Sequence, residues 1–166
     1  MAKKRRIFEP GHGRKLMVVV DESPEVEVAL FYAAGRVLHA GGSVLLLYVI
    51  EPDNQFWEGV RQVQLEEQTN KAKALFRLLR RKMANEGFDA VPVEEVIREG
   101  KKVEEILKHI DEDEDVAILV LGASTETSGP GPLVSSLAVG ATAGKFPIPI
   151  TIVPGELKLE DIKALA

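Results

Sequence analysis

Five runs of apolar residues stand out along the chain, at 16–20, 43–50, 91–96, 116–121 and 148–153. The first, second and fourth are continuously apolar and rich in valine, leucine and isoleucine, the pattern of strands covered on both faces. The third contains Pro92, which cannot donate to a ladder and so suits an edge strand. Between the runs the period changes from two to three and four. Ala29, Tyr32, Ala33, Arg36 and Val37 form the stripe of a helix predicted to begin behind Ser23 and Pro24, with a hydroxyl or carboxylate cap, and to end at Gly41 and Gly42. Leu65, Ala72, Leu75, Phe76, Leu79 and Met83 mark a long amphipathic helix over about 56–85 that stops at Gly87. Val103, Ile106, Leu107 and Ile110 mark a third helix behind Gly100, and small residues a fourth over 135–145.

Strands alternating with helices imply parallel crossovers, hence an α/β fold with a doubly wound sheet. No internal repeat or domain boundary interrupts the series. The expected organisation is a flexible polar leader (1–14), one domain (15–154) and a tail (155–166) that forms a short helix around Leu157, Ile162 and Leu165. With 45% hydrophobic and 28% charged residues, the composition is that of a globular protein. No apolar run approaches the length of a membrane-spanning helix. Cysteine is absent, which excludes disulfides, thiolate catalysis and cysteine-ligated zinc and fits a reducing compartment. The start has positive charges with no apolar segment behind them, unlike a secretory signal, so cytoplasm is the expected location. A net charge of -5 argues against a general nucleic-acid binder. The one basic cluster, Lys3, Lys4, Arg5 and Arg6, reads as a solvated tail, with a phosphate-contacting arm as the alternative.

The order of these signals resembles the universal stress protein family across residues 15–154. The pieces that carry the likeness are Leu16 to Val20 followed by Asp21 and Ser23, Leu45 to Val49 followed by Glu51 and Pro52, and Arg98-Glu99-Gly100 ahead of Ile106. Ile118 to Gly122 and Pro147-Ile148-Pro149 leading into Ile150 to Val153 complete it. The resemblance implies a five-stranded, mostly parallel sheet in the order 3-2-1-4-5, of the adenine nucleotide alpha-hydrolase-like type, with helices on both faces. It also implies a ligand crevice between the carboxyl ends of strands 1 and 4, where loops diverge to opposite faces. In family members that bind ATP, the aspartate after strand 1 and the backbone at the end of strand 2 hold the adenosine, positions filled here by Asp21, with Ser23 beside it, and by Val49.

The same members cradle phosphates with three spaced glycines and a Ser or Thr, because glycine lets the backbone approach and the following helix start offers free N–H groups. Here Gly122 fills the first place, Thr125 the second, and Ser135 and Ser136 the last pair, so the motif is degenerate. Thr125 is β-branched and resists positive φ, so the loop is not expected to follow the family's path there. Gly129-Pro130-Gly131-Pro132 would relocate the flexible point.

Several residues admit two readings. Asp21 either holds a ribose or adenine or caps the first helix. Ser135 and Ser136 either donate to a phosphate or cap the last helix. Ser124, Thr125, Thr127 and Ser128 form either an anion-binding or modifiable loop or a plain exposed one. The run from Asp111 to Asp115 has carboxylates at alternate places like a calcium loop, but Val116 stands where glycine is needed, so a solvated turn is expected. His12, His39 and His109 are too far apart to argue a zinc site. Phe56, Trp57 and Val60 are expected as a buried cluster at a helix start, with a lid over the crevice as the other reading.

The expected function is a regulatory module that binds an adenine nucleotide, ATP with Mg²⁺ or AMP, or a similar small anion. Ile148, Ile150 and Ile152 alternate with Pro149, Thr151 and Val153, making the last strand too apolar an edge to leave bare, so a homodimer through 148–153 is predicted. The alternatives are a dimeric scaffold of the same family that binds no nucleotide, and a slow ATP hydrolase. No general base is evident in the loop, which disfavours an enzyme.

Overall fold

The computed structural model describes residues 3–53 and 57–166. Its elements follow the alternation read from the sequence: β1 (Lys15–Val19), α1 (Val26–Ala40), β2 (Ser43–Ile50), α2 (Glu58–Asn85), β3 (Val93–Glu99), α3 (Lys102–Glu112), β4 (Val116–Ala123), β5 (Ile150–Pro154) and α4 (Leu159–Leu165). The sheet order is β3-β2-β1-β4-β5 and every pairing is parallel. β1 lies in the centre, with Val19 opposite Leu47 of β2 and Val18 opposite Val120 of β4.

Because successive strand residues point to opposite faces, the buried runs feed two separate cores. Leu16, Val18, Leu46 and Val120 meet α1 and α2 through Leu30, Ala33, Phe76 and Met83. Met17, Val19, Leu47, Val49, Leu119 and Leu121 meet α3 and the segment after β4 through Ile106, Ile110, Val134 and Leu137. The tail belongs to the first core: Ile162 of α4 is 1% exposed, and the carboxyl-terminal residue Ala166 lies against Gly35 of α1. Only a glycine there admits it, since a Cβ on Gly35 would stand 2.7 Å from that of Ala166.

Three expectations are corrected. The helix predicted over 135–145 is instead a π-helical turn, Val134–Val139, and a 3-10 turn, Ala143–Lys145. Gly140 and Gly144 lower helix propensity in this stretch, and of the π turn only Val134 and Leu137 are fully buried. Trp57 and Val60 are not buried: Trp57 is 81% exposed, while Phe56 lies outside the described residues. The cause is length, since a 28-residue helix runs about 42 Å while an 8-residue strand covers only about 27 Å. The buried positions of α2 are accordingly Ala72, Phe76, Leu79 and Met83, all in its second half.

The third correction concerns the leader. Arg5 donates to the carbonyls of Ile110, Asp113 and Val116, at 2.7, 2.9 and 3.3 Å, where α3 ends and β4 begins. A guanidinium there satisfies carbonyls left over at a helix end and complements its dipole. The acidic run after α3 is correspondingly engaged: His12 Nδ1 lies 2.7 Å from Asp115, and Lys15 2.6 Å from Asp113. Burial opposes ionisation of Asp115, but the bonds from His12 and the backbone of Gly13 hold its carboxyl below the usual range.

Candidate functional site

β1 and β4 end side by side, and their loops leave in different directions. Val18 lies opposite Val120; carried two residues on, that register brings Val20 level with Gly122 and Asp21 beside the end of β4. The Val19–Leu47 register, carried on in the same way, sets Asp21 level with Val49 of β2. Asp21, Ser23, Glu25, Gly122, Gly131 and Leu133 line the resulting crevice, whose free volume is about 40 Å³. That is well below the few hundred Å³ of a pocket that encloses a small-molecule ligand.

Asp21 shapes the first wall. Its Oδ1 accepts from the N–H of Ser23 at 2.8 Å and from the Ser23 hydroxyl at 2.5 Å, so one carboxylate oxygen closes an Asx-type turn ahead of α1. Neither Asp21 nor Ser23 caps the helix directly; its first residue follows Glu25, whose side chain makes no capping bond. Both bonds fall on Oδ1, and the second oxygen is not consumed by them. Gly122 shapes the opposite wall. The carbonyl of Glu25 approaches so closely that a Cβ on residue 122 would lie 2.1 Å from that oxygen. Glycine is therefore required for the start of α1 to dock on the end of β4, whatever else Gly122 does.

The loop after β4 closes on itself. The Ser124 N–H donates to Pro130 O at 2.9 Å, the Gly129 N–H to Glu126 O at 3.3 Å, and the Ser135 N–H to Gly131 O at 3.0 Å. Positive φ occurs at Gly129 (132°) and Gly131 (103°) and at no non-glycine residue, so the turning points lie there and not at Thr125. Thr125 is exposed, its methyl group packing toward Gly155. Ser135 lines a second, shallower cleft with Ser124, Ser128 and Glu25. Ser136, exposed on the π turn, is in neither lining, and the buried Val49 side chain also lies outside the crevice lining. The structure thus gathers Asp21, Ser23 and Gly122 around one crevice, brings Ser135 to its rim, and leaves Val49, Thr125 and Ser136 to contribute backbone or nothing.

The site is acidic. Neither cleft has a lysine or arginine in its lining, whereas Asp21 and Glu25 both face the crevice. Glu25 is the residue that the sequence reading missed. It stands just behind Ser23 and Pro24 at the predicted helix start, and only the docking of that start on the end of β4 brings it to the loop.

A second polar cluster lies between β3 and α3. Arg98 bonds Glu105 at 3.0 Å and Glu112 at 2.7 Å, and its guanidinium lies 3.2 Å from His109 Nδ1. Bonding to Arg98 holds the carboxyls of Glu112 and Glu105 below the usual range, Glu105 with help from Lys108. Burial pushes the His109 imidazole down, and the adjacent guanidinium pushes it further.

The family model of the universal stress protein family matches residues 13–154. The chain belongs to the universal stress protein family. Solved structures of universal stress proteins share its fold. UspA from Lactobacillus plantarum is 18% identical, with a TM-score of 0.64, over 84% of this chain and 97% of that one. A universal stress protein solved in complex with cAMP is 15% identical, with a TM-score of 0.57, over 86% of this chain and 98% of that one. The universal stress protein from Archaeoglobus fulgidus in complex with dAMP is 20% identical, with a TM-score of 0.55, over 84% of this chain and 97% of that one. No match is found among curated proteins. Among the described residues of this universal stress protein, no helix is long and apolar enough to cross a membrane, and no group of His, Cys, Asp and Glu could hold a metal ion.

Proposed function

We propose that this universal stress protein is a regulatory module that binds an adenine nucleotide in the crevice between β1 and β4. The observation that carries the reading is the meeting of Asp21 and Gly122 at the carboxyl ends of adjacent parallel strands. Open α/β sheets take their ligands at that switch point because the diverging loops leave a cleft there. Structures of the same fold in complex with cAMP and dAMP support it. In this reading the free oxygen of Asp21 accepts from the ribose or adenine, and the backbone at Val49 lies against the base. The loop 124–132 must swing outward to admit it, since the crevice now holds about 40 Å³. That small volume is also what favours the second reading, a scaffold that binds no nucleotide. A homodimer through β5, the outer strand, belongs to both readings.

Isothermal titration with adenosine, cAMP, AMP and ATP with Mg²⁺ separates the two. A saturable heat with at least one of these supports the first reading. Flat titrations with all of them at millimolar concentration refute it.

A further inference from the structure

We propose that Glu25 selects ligands by charge, so that the crevice takes an adenine nucleoside or cyclic monophosphate carrying at most one negative charge and rejects di- and triphosphates. The inference rests on the reading of the crevice as an adenine site.

Three observations converge on it. The first is position: Glu25 lines both the crevice and the shallower cleft beneath the loop after β4, the direction in which a phosphate chain would extend. One of its carboxylate oxygens faces Gly131, 3.8 Å from where a Cβ on that glycine would stand. The second is the absence of compensation: no lysine or arginine lines either cleft, and no ion pair meets Glu25 among the described residues. The third is the fate of the loop's own donors. The N–H groups of Ser124, Gly129 and Ser135 are spent on Pro130, Glu126 and Gly131, and that of Glu126 on the Ser124 hydroxyl at 3.2 Å. Polyphosphate recognition needs free N–H groups or cations, and here the N–H groups that remain would have to outweigh a carboxylate. The backbone of Glu25 is docked against Gly122, which fixes where its side chain starts.

The test compares adenosine, cAMP and ATP, each titrated into the wild-type protein, Glu25→Gln and Glu27→Gln. Glu27 is a helix neighbour paired with Lys82 and controls for net charge. A unit charge about 6 Å from another, at the effective dielectric of a half-open site, changes affinity by roughly tenfold or more. The expected result is that wild type binds adenosine and cAMP at least about tenfold more tightly than ATP. Glu25→Gln should raise ATP affinity by about tenfold or more with little change for adenosine, and Glu27→Gln should leave the order as it was. Equal affinity of wild type for ATP and cAMP, or an unchanged ratio in Glu25→Gln, overturns the charge selection while leaving the adenine site standing. A fall in ATP affinity in Glu25→Gln with Mg²⁺ present overturns it too, because the carboxylate would then be holding the cation. If adenosine, cAMP and ATP all fail to bind wild type and Glu25→Gln, the adenine reading itself falls and takes the inference with it.

Discussion

Gly122→Ala puts one methyl group into the contact that joins α1 to β4. The added Cβ would stand 2.1 Å from the carbonyl oxygen of Glu25, 2.8 Å from its carbonyl carbon and 2.9 Å from its Cβ. Relief needs a shift of more than an ångström, and the neighbour is backbone at the start of a helix whose Val26, Ala29, Leu30 and Ala33 are all buried. Overpacking of a tight core costs about 1–3 kcal/mol, and a clash with backbone on both sides belongs at the upper end. For a chain of this size each kcal/mol lowers Tm by about 2–4 °C, so a drop of roughly 6–12 °C is expected. The φ of Gly122 lies outside the left-handed region, so the effect is steric and not conformational. Gly144→Ala is the control, since a Cβ there meets nothing within 4 Å and should leave Tm nearly unchanged or slightly higher. Thermal melts followed by circular dichroism read both. A Gly122→Ala protein melting within about 2 °C of wild type would refute the docking of α1 on β4; a glycine kept only for a ligand would lose binding and keep its Tm.

His109 sets a pH dependence. It is buried, its Nδ1 accepts from Arg98, and its Nε2 has no hydrogen-bond partner among the described residues, with Asp113 4.0 Å away and Glu94 and Glu112 also near. Its native pKa lies below its ordinary value of 6.5, so as pH falls through 6.5 the unfolded chain gains a proton that the native state does not, and stability declines. The carboxyls of Glu105 and Glu112, lowered from 4.5, add their loss only further down. Urea midpoints between pH 7 and 5 should fall more steeply for wild type than for His109→Gln; parallel slopes would contradict this. Ile162→Ala, emptying a position 1% exposed beneath α4, should cost about 2–5 kcal/mol in urea unfolding, and a loss under about 0.5 kcal/mol would mean the tail is not docked. Ile152, 40% exposed on the outer strand, should hold the dimer together; Ile152→Lys is expected to sediment as a monomer, and an unchanged mass would exclude β5 as the interface.

The alternation of parallel strands with helices was legible in the residues themselves, whereas the order 3-2-1-4-5, which the structure shows, and the crevice came from the resemblance to the family. Leu16 to Val20, Leu45 to Val49 and Val116 to Leu121 are apolar on both faces, and only central parallel strands bury both faces. Asp21 and Gly122 follow such runs, but that they meet rested on the strand order that the resemblance implies. What periodicity does not carry is reach and small-residue geometry. The stripe of α2 gave a helix of the right length but not the extent of the sheet beneath it, so Trp57 was placed inside when it is outside. The small residues of 135–145 suggested a helix, yet two glycines and few buried side chains left the segment free to wind as a π turn and break. The leader's polarity suggested solvent, although Arg5 finds three carbonyls whose exposure depends on where α3 stops. Glu25 was hidden for a similar reason, since its meaning comes from a contact with Gly122 nearly a hundred positions away.

The proposed adenine ligand sits over the carboxyl ends of β1 and β4. Amide chemical shifts in a ¹⁵N–¹H spectrum, followed as cAMP or adenosine is added, report its place residue by residue. Saturable shifts concentrated at Ser23, Val49, Gly122, Ser124 and Gly131 are expected. Shifts confined to the opposite ends of the strands, around Lys15, Ser43 and Val116, or none at millimolar ligand, would contradict it.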